Sequence, residues 1–352
     1  MIPQPKEVSR FPQIAIAVVI LLGAIGYFVM QSRTEKLYIY TWDTYADTEL
    51  FAKFEKETGI RVVTEVYSSN DALLAKLKSG ARYDIISPSG NYVPLLIEEN
   101  LLQPLPDEVR ALARDFSENV RNPAYDPEYR YALPLFYGTT GIAVNTSMTD
   151  EKITSWEDFF NRPAKEAPSI GMLDDTSTVM AIGAIALARK NCDGSENTLK
   201  MLENLLQGQK PSVKTYSANG YFERLAANEV ALQLAWSGDV YTARQENPAI
   251  KYIYPKEGVE LWMDSLAIPS AAQNLEAAVK FIDFVMQPKN AAAYSNFSGN
   301  IPTSRAARNF LPGDIQRAPE FNIPANVATH TSFACPPEVV QAYGRIWENL
   351  MR

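Results

Sequence analysis

The chain has 352 residues, of which 46% are hydrophobic and 21% are charged, so it is globular and long enough for two domains. Its net charge of −8 disfavours a nucleic-acid partner and mildly favours the approach of a cationic ligand. A histidine-based metal site or a serine–histidine–aspartate triad is disfavoured, because His330 is the only histidine and would have to act alone. The polar residues around His330 predict a surface loop instead.

The N-terminus has the composition of an export signal. Lys6 and Arg10 precede an uncharged run over residues 11–32. This pattern, with a small-x-small sequence ending at Gly26, predicts a cleaved secretory signal. The run is also close to the lower limit for a membrane span, so an uncleaved anchor is the alternative. In either case residues 1–33 are expected to be a signal peptide or signal anchor, and the rest of the chain is expected to be exported.

The exported body begins with alternating strands and helices. Strands are predicted over 37–40, 60–67 and 84–86, and an Ala-rich helix follows later in the chain over 178–190. One early helix begins at Asp47 or Thr48 and ends at Gly59, and the next begins at Ser69 and ends at Gly80. Alternation of this kind predicts βαβ units and a mostly parallel sheet.

Ligands in open α/β sheets bind beyond the carboxyl ends of the strands. The loop after the first strand contains Trp42, Asp43 and Tyr45, and the loop after the third contains Ser89. A later predicted strand, at 171–173, ends in the paired carboxylates Asp174 and Asp175. These side chains are therefore candidates for a ligand-binding cleft.

Two apolar runs end in a tryptophan that is followed within three residues by an aspartate. The first contains Trp236 and Asp239, and the second contains Trp262 and Asp264. A flat ring face and a negative charge together suit an organic cation with an apolar stem. The alternative is that both rings belong to the core and both carboxylates form caps or turns, because Asp239 opens a predicted helix over 239–247.

The order of the segments predicts a two-lobe α/β architecture in which the chain crosses between lobes more than once. Residues 131–145 are expected to form two strands broken by a joint at Gly138 and Gly141, and 261–269 returns the chain to the first lobe. The first lobe is predicted to comprise 37–139 and 265–301, and the second 140–264 and 302–352. The remaining predicted elements are strands at 213–216, 230–236 and 251–254 and helices at 156–160, 221–228, 275–286 and 339–351.

The two cysteines, Cys192 and Cys335, do not have the spacing of metal ligands. A disulfide between them is possible in an oxidising compartment, but the sequence slightly favours two free thiols.

The ordered set of motifs resembles the periplasmic polyamine-binding proteins of ATP-driven importers, the spermidine- and putrescine-binding family. The resemblance covers about 37–308, and its matching segments are Glu55-Lys56-Glu57-Thr58-Gly59-Ile60, Ser69-Asn70, Ser87-Pro88-Ser89, Thr140-Gly141-Ile142, Trp236-Ser237-Gly238-Asp239, Pro255-Lys256-Glu257-Gly258 and Trp262-Met263-Asp264-Ser265-Leu266-Ala267-Ile268-Pro269. It implies the two-lobe periplasmic-binding-protein fold of type II, with a ligand cleft between the lobes. It also implies a monomer without a cofactor, with an inner-membrane permease as its partner.

The family holds the methylene chain of its ligand in an aromatic box and the ammonium ends with carboxylates. In this sequence the aromatic positions are occupied by Trp42, Tyr45, Trp236 and Trp262. The resemblance assigns the acidic positions to Asp239 and Asp264, and a hydroxyl position to Ser89.

Three departures from the family pattern bear on the ligand. The acid of the first loop, Asp43, stands one place early, Thr178 replaces an acid, and Asn300 replaces a tyrosine. Asp174 or Asp175 either substitutes for the missing acid or caps the following helix. With fewer carboxylates available, the sequence predicts a putrescine-type diamine rather than a longer triamine, and an ω-amino acid such as γ-aminobutyrate is the alternative. A membrane-tethered polyamine sensor is a further alternative.

An enzyme is not expected, because the sequence contains no phosphate loop, metal-ligand spacing or Gly-x-Ser-x-Gly elbow. Asp239 and Asp264 could in principle act as general acid and base on a sugar. Their pairing with tryptophans suits the binding of a cation better.

Overall fold

The computed structural model describes residues 35–162, 169–331 and 334–352. The predicted signal segment, 1–33, lies outside these residues. Within the three described ranges, no helix has the length and apolar character required to cross a membrane.

The fold contains eleven strands and thirteen α-helices in the described ranges. The strands are β1 (Lys36–Trp42), β2 (Arg61–Tyr67), β3 (Ile85–Ile86), β4 (Ala132–Asn145), β5 (Ile170–Met172), β6 (Val213–Tyr216), β7 (Leu232–Trp236), β8 (Ile250–Ile253), β9 (Val259–Ala267), β10 (Ile301–Pro302) and β11 (Thr329–Thr331). The helices are α1 (Thr48–Thr58), α2 (Asn70–Lys78), α3 (Val93–Glu98), α4 (Asp107–Ala111), α5 (Trp156–Phe160), α6 (Thr176–Ala186), α7 (Glu196–Gln209), α8 (Tyr221–Ala226), α9 (Ser237–Glu246), α10 (Leu275–Met286), α11 (Pro288–Ser298), α12 (Gly313–Arg317) and α13 (Pro337–Met351). Short 3-10 turns occur at Asp43–Tyr45, Gly90–Tyr92, Leu112–Asp115, Glu118–Val120, Pro127–Tyr129, Lys210–Ser212, Ala307–Phe310 and Pro319–Phe321.

The predicted helix boundaries near the N-terminus are confirmed by their capping contacts. Asp47 caps α1, because its Oδ1 accepts hydrogen bonds of 3.0 Å from the backbone N–H groups of Glu49 and Leu50. The helix ends at Gly59, whose φ of 75° is in the left-handed region that favours glycine. Ser69 caps α2 by accepting from the backbone N–H of Ala72 at 3.2 Å.

The strands are joined in the order β2-β1-β3-β9-β4-β7-β5-β6, with β8 and β10 beside β4 and β11 beside β9. β1 is parallel to β2 and β3, and β5 is parallel to β6 and β7. The long strand β4 is antiparallel to both β9 and β7. Two parallel sets of strands are therefore connected through the antiparallel pair β4 and β9.

The prediction of two strands separated by a glycine joint within 131–145 is wrong, because β4 is one strand of 14 residues. Neither Gly138 nor Gly141 has a positive φ. Each instead allows an aromatic ring to approach the backbone. A Cβ atom at Gly138 would lie 2.2 Å from Cζ2 of Trp262, and one at Gly141 would lie 2.6 Å from the hydroxyl of Tyr252.

Two separate clusters of buried apolar side chains support the prediction of two lobes. The first draws its members from residues 37–137 and 261–321, and the second from 142–252 and 339–350. Two stretches differ from the expected boundaries, because their buried apolar side chains pack in the first cluster rather than the second. They are Leu261 and Met263 within 140–264, and the buried side chains from Ala307 to Phe321 within 302–352. The chain therefore returns to the second cluster only with α13.

The expectation of two free thiols is wrong. Cys192 and Cys335 form a disulfide between positions 143 residues apart. The terminal helix α13 packs against α6 and α7, and this packing brings the Cα atoms of the two cysteines to 5.1 Å. His330 is exposed, as expected, but it lies in strand β11 rather than in a loop.

Candidate ligand-binding site

The best-defined part of the candidate site is the carboxylate of Asp264 in strand β9. Tyr45 donates a hydrogen bond of 2.5 Å to its Oδ2, and Ser89 donates one of 2.6 Å to its Oδ1. Only 9% of the surface of Asp264 is exposed. Burial raises the pKa of Asp264, while the hydrogen bonds from Ser89 and Tyr45 oppose that rise. The structure thus brings together three of the residues predicted from separate loops and strands.

Tyr45 supports this carboxylate from within the first core. Its ring is only 2% exposed and makes edge contacts with Phe136 and Tyr294, at centroid distances of 5.1 Å and 6.4 Å. The hydroxyl of Tyr294 donates to the backbone carbonyl of Tyr45 at 2.7 Å. Burial raises the pKa of Tyr45 well above its ordinary value, and the charge of Asp264 raises it further. Tyr45 therefore remains a neutral phenol that donates its proton to the carboxylate.

The second carboxylate, Asp239, lies in the first turn of α9. The hydroxyl of Tyr221 donates to its Oδ2 at 2.7 Å and accepts from the backbone N–H of Trp236 at 3.0 Å. Burial raises the pKa of Asp239 to about 6, Tyr221 opposes the rise, and the charge of Glu223 adds to it. Asp239 is not the helix cap, because α9 begins two residues earlier, at Ser237. The capping interpretation of Asp239 is therefore wrong.

The three predicted tryptophans are all partly exposed, as a ring that contacts a ligand must be. Trp42 packs against Tyr67 at a centroid distance of 4.7 Å, and Trp236 contacts Tyr221 at 6.0 Å. Trp262 lies against the backbone of Gly138. The indole Nε1 atoms of Trp42 and Trp262 are buried and have no hydrogen-bond acceptor among the described residues.

Asn300 lies between the residues that hold Asp264 and the start of the helix that carries Asp239. Its Nδ2 lies 3.4 Å from the hydroxyl of Tyr45, which holds Asp264. Its Oδ1 lies against Gly238, the residue before Asp239, where a Cβ atom would approach this oxygen to 2.7 Å. The same Cβ would lie 2.4 Å from the carbonyl oxygen of Gly299. Glycine at position 238 therefore allows the start of α9 to touch the first core.

Asp43 and Asp175 are placed differently from the other candidates. Asp43 is exposed and begins the 3-10 turn Asp43–Tyr45. Asp175 is also exposed and caps α6, because its Oδ1 accepts from the backbone N–H of Thr178 at 2.7 Å. The capping interpretation of Asp175 is thus confirmed. Ligand contacts by these two carboxylates remain predictions.

Sequence reasoning missed two tyrosines that organise the site, Tyr221 and Tyr67. Tyr67 donates a hydrogen bond of 2.5 Å to the backbone carbonyl of Ser87 and packs on Trp42. The sequence did contain a usable signal, because Tyr67 is the last residue of a predicted strand. In the parallel register of β1 and β2 it lies directly beside Trp42. No comparable signal marks Tyr221, which begins helix α8 and reaches Asp239 from a separate element.

The site combines supported carboxylates, hydroxyl groups and partly exposed indole rings, which is a donor set suited to an organic cation. Among the described residues, no group of three or more histidine, cysteine, aspartate and glutamate side chains is arranged to hold a metal ion.

Comparisons with known proteins identify the family to which the chain is similar. The family model described as a bacterial extracellular solute-binding protein matches residues 49–323. The spermidine/putrescine-binding periplasmic protein of Salmonella typhimurium is 32% identical over 290 residues, which are 81% of this chain and 82% of that protein. A putrescine-binding periplasmic protein of Pseudomonas aeruginosa is 27% identical over 327 residues, covering 88% and 89% of the two chains.

The fold is also that of solved members. The crystal structure of the spermidine/putrescine transporter substrate-binding protein of Streptococcus pneumoniae matches with a TM-score of 0.80 and 27% identity, covering 90% of this chain and 99% of that one. The fold and the site thus define a solute-binding protein with a mixed α/β architecture. The chain belongs to the family of bacterial extracellular solute-binding proteins. Members of this family are binding proteins, which confirms that the chain is not an enzyme.

Proposed function

We propose that this protein binds a short polyamine of the putrescine type and delivers it to the inner-membrane permease of an ABC importer. The observation that carries the proposal is the carboxylate of Asp264, oriented by Tyr45 and Ser89 in a largely buried position. The relatives that share most of the chain's length are named for spermidine and putrescine binding.

The site offers enough interaction energy for tight binding of a diamine. A hydrogen bond to a charged group contributes about 1.5–3 kcal/mol, and a desolvated cation–π contact contributes about 2 kcal/mol. Asp239 and Asp264 each have a tryptophan within three positions in sequence. Each ammonium group of a diamine therefore has one candidate carboxylate for a hydrogen bond and one candidate indole ring for a cation–π contact. Two or three contacts of each type total about 7–15 kcal/mol before the cost of association, and a micromolar dissociation constant corresponds to about 8 kcal/mol net.

The number of supported carboxylates favours a diamine over a triamine. Asp239 and Asp264 are both held by tyrosine hydroxyls, whereas the position of a further acid is occupied by the buried Thr178. A third ammonium group without a partner would lose several kcal/mol of hydration on burial.

An ω-amino acid such as γ-aminobutyrate is the second candidate, and one observation favours it. The indole N–H groups of Trp42 and Trp262 lack an acceptor among the described residues. A ligand carboxylate accepts hydrogen bonds, and an ammonium group does not. Both indole nitrogens are shielded in the present conformation, so this binding mode requires the rings to turn.

Export to the periplasm is part of the proposal. The disulfide between Cys192 and Cys335 supports an oxidising compartment. If residues 1–33 are cleaved, the protein is a free component of the importer. If they are retained, it is a membrane-tethered form that acts as a sensor. Mass measurement of the exported protein is expected to give an N-terminus near Tyr27. An intact Met1 in the membrane fraction would contradict cleavage.

The ligand is tested by a thermal-shift and calorimetric panel of putrescine, cadaverine, spermidine, agmatine and γ-aminobutyrate. A ligand that binds only the folded state stabilises it by about 2.7 kcal/mol at one hundred times its dissociation constant, which is a measurable shift in Tm. Putrescine is expected to give the largest shift. A larger shift with spermidine would overturn the argument from chain length, and a shift with γ-aminobutyrate alone would establish the second candidate. No shift across the panel would count against polyamine binding.

A further inference from the structure

Helix α9, which carries Asp239 in its first turn, contacts both hydrophobic cores. Val240 and Ala243 are fully buried in the second core. Tyr241, on another side of the same helix, packs against the first core. The helix that presents one candidate ligand carboxylate is therefore fixed from both lobes.

The contact with the first core is centred on a buried ion pair. Glu320 is 0% exposed, and its two carboxylate oxygens accept hydrogen bonds of 2.8 Å and 2.9 Å from Nε and Nη2 of Arg244. A bidentate pair of this kind fixes the orientation of the guanidinium group as well as its distance. Removing Arg244 would leave the fully buried carboxylate of Glu320 without this compensating charge.

Three more contacts join the same two surfaces. The hydroxyl of Tyr241 donates to Oδ2 of Asp314 at 2.9 Å, and its ring meets Phe321 edge-on at 5.3 Å. The hydroxyl of Tyr254, which follows β8 of the second lobe, donates to the backbone carbonyl of Pro319 at 2.9 Å. All of these contacts are made to residues 313–321, which we call the strap.

The strap is anchored in the first core. Its apolar residues Ile315, Ala318 and Phe321 are buried there, at 1%, 2% and 1% exposure. The carboxylates of Asp314 and Glu320 contact α9, and the backbone carbonyl of Pro319 contacts Tyr254. The strap therefore bridges the first core and the helix that carries Asp239, and its turn at Pro319–Phe321 also contacts β4.

We propose that the strap is a positioning device for the ligand site, and that the Arg244–Glu320 pair holds α9 so that Asp239 and Trp236 stay at a fixed distance from Asp264. Arg244 lies five residues after Asp239, or about 7.5 Å along the helix at 1.5 Å per residue. Because a helix of this length moves as a unit, a shift at Arg244 displaces Asp239 as well. The inference rests on the proposed function only for the choice of ligand.

The first test measures putrescine binding and release with the full chain of Glu320→Gln, Arg244→Lys and Tyr254→Phe. The expected result is that Kd rises at least tenfold for Glu320→Gln, mainly through faster dissociation, and several-fold for the two milder variants. The matched control is Lys280→Met, which removes the cation of an exposed ion pair with Glu276, and its Kd is expected to equal that of the parent.

A purely structural role for the strap gives a different pattern. In that case Tm falls in the variants, while Kd and the dissociation rate measured well below Tm stay at parental values. That result would overturn the proposal. Tyr254→Phe removes a single hydroxyl and keeps the ion pair, so a folded variant is available even if Glu320→Gln does not fold.

The second test needs no ligand and separates failure of the strap from failure of the polyamine assignment. Spin labels are attached at Glu98→Cys in α3 and Lys200→Cys in α7, both exposed positions in different lobes. The natural cysteines are paired and do not react. Pulsed electron paramagnetic resonance is expected to show that the distribution of distances between the two spin labels is broader or shifted in Glu320→Gln relative to the parent. Identical distributions would refute the positioning role, whatever ligand the parent binds.

Discussion

Tyr45 and Asp264 are joined by a hydrogen bond of 2.5 Å across 219 positions of sequence. The bond connects the loop after β1 to the middle of β9, one of the two long strands that run between the cores. Because burial raises the pKa of the phenol, Tyr45 stays protonated in the physiological range and can donate to Asp264. Asp264 is thereby oriented before any ligand arrives, and this orientation is the basis of the first prediction.

Replacing Tyr45 by phenylalanine is expected to weaken putrescine binding by about tenfold or more, because a hydrogen bond to a charged group contributes about 1.5–3 kcal/mol. The ring and its edge contacts are retained, so the variant is expected to fold. Isothermal titration calorimetry measures the change, with Tyr38→Phe on the partly exposed face of β1 as the matched control. Equal affinity in the two variants would contradict the role of Tyr45.

Replacing Asp239 by asparagine is expected to separate binding from stability. The affinity for putrescine is expected to fall at least tenfold because the charge that faces the ammonium group is lost. The hydrogen bond from Tyr221 is retained, because the amide oxygen of asparagine also accepts. Asp283→Asn, at an exposed position of α10, is the control for removing a carboxylate. Unchanged affinity in Asp239→Asn would remove this residue from the site.

The same variant has an expected effect on the ligand-free protein. The pKa of Asp239 is raised from 3.8 to about 6 on folding, so between these values the native state binds a proton that the unfolded state does not. Stability therefore falls as pH rises through this window, and the ionised group costs about 1–2 kcal/mol above it once solvent screening is allowed for. Asp239→Asn is expected to unfold at a higher Tm than the parent at pH 7.5 and at the same Tm at pH 4. A lower Tm at pH 7.5 would contradict this account.

The pH dependence of binding follows from the same pKa. Below pH 6 the ligand-free protein carries a proton on Asp239, which must be displaced before the carboxylate can pair with an ammonium group. The ammonium groups of a diamine keep their charge, since their pKa is about 10. Putrescine affinity is therefore expected to fall by up to tenfold per pH unit between pH 6 and pH 5. Calorimetry should show a weaker dependence in Asp239→Asn, and equal slopes would exclude Asp239 as the titrating group.

The features that sequence predicted correctly are those determined by neighbouring residues. The caps at Asp47 and Ser69 and the left-handed Gly59 act within a few positions, so their pattern is visible in the chain itself. Trp42 ends β1 and Ser89 lies shortly after β3, close to where the sequence placed them, and the carboxyl ends of parallel strands lie at one edge of a sheet.

The features that sequence did not predict depend on contacts between distant segments. Gly138 was interpreted as a break in a strand, but it is a glycine because Trp262 packs on its backbone. Nothing near Tyr221 in the sequence indicates that its hydroxyl reaches Asp239. The placement of Ala307 to Phe321 in the first core likewise follows from tertiary packing, since the segment contains no strand that would reveal its neighbours.

The disulfide gives a final prediction, in which stability changes and binding does not. Cys192 and Cys335 are 143 positions apart, and Cys335 packs against the second core, so replacing both by alanine is expected to lower the free energy of unfolding by about 2–5 kcal/mol. The carboxylates of Asp239 and Asp264 accept hydrogen bonds from Tyr221, Tyr45 and Ser89, which belong to other segments than the cysteines. Putrescine affinity at 25 °C is therefore expected to stay within twofold of the parent. Urea unfolding and calorimetry of the variant, with the reduced parent as the control, make both measurements. A large loss of affinity in a fully folded variant would contradict this expectation and would show that the position of α13 affects the ligand site. Unchanged stability would show that the disulfide contributes little to the free energy of unfolding.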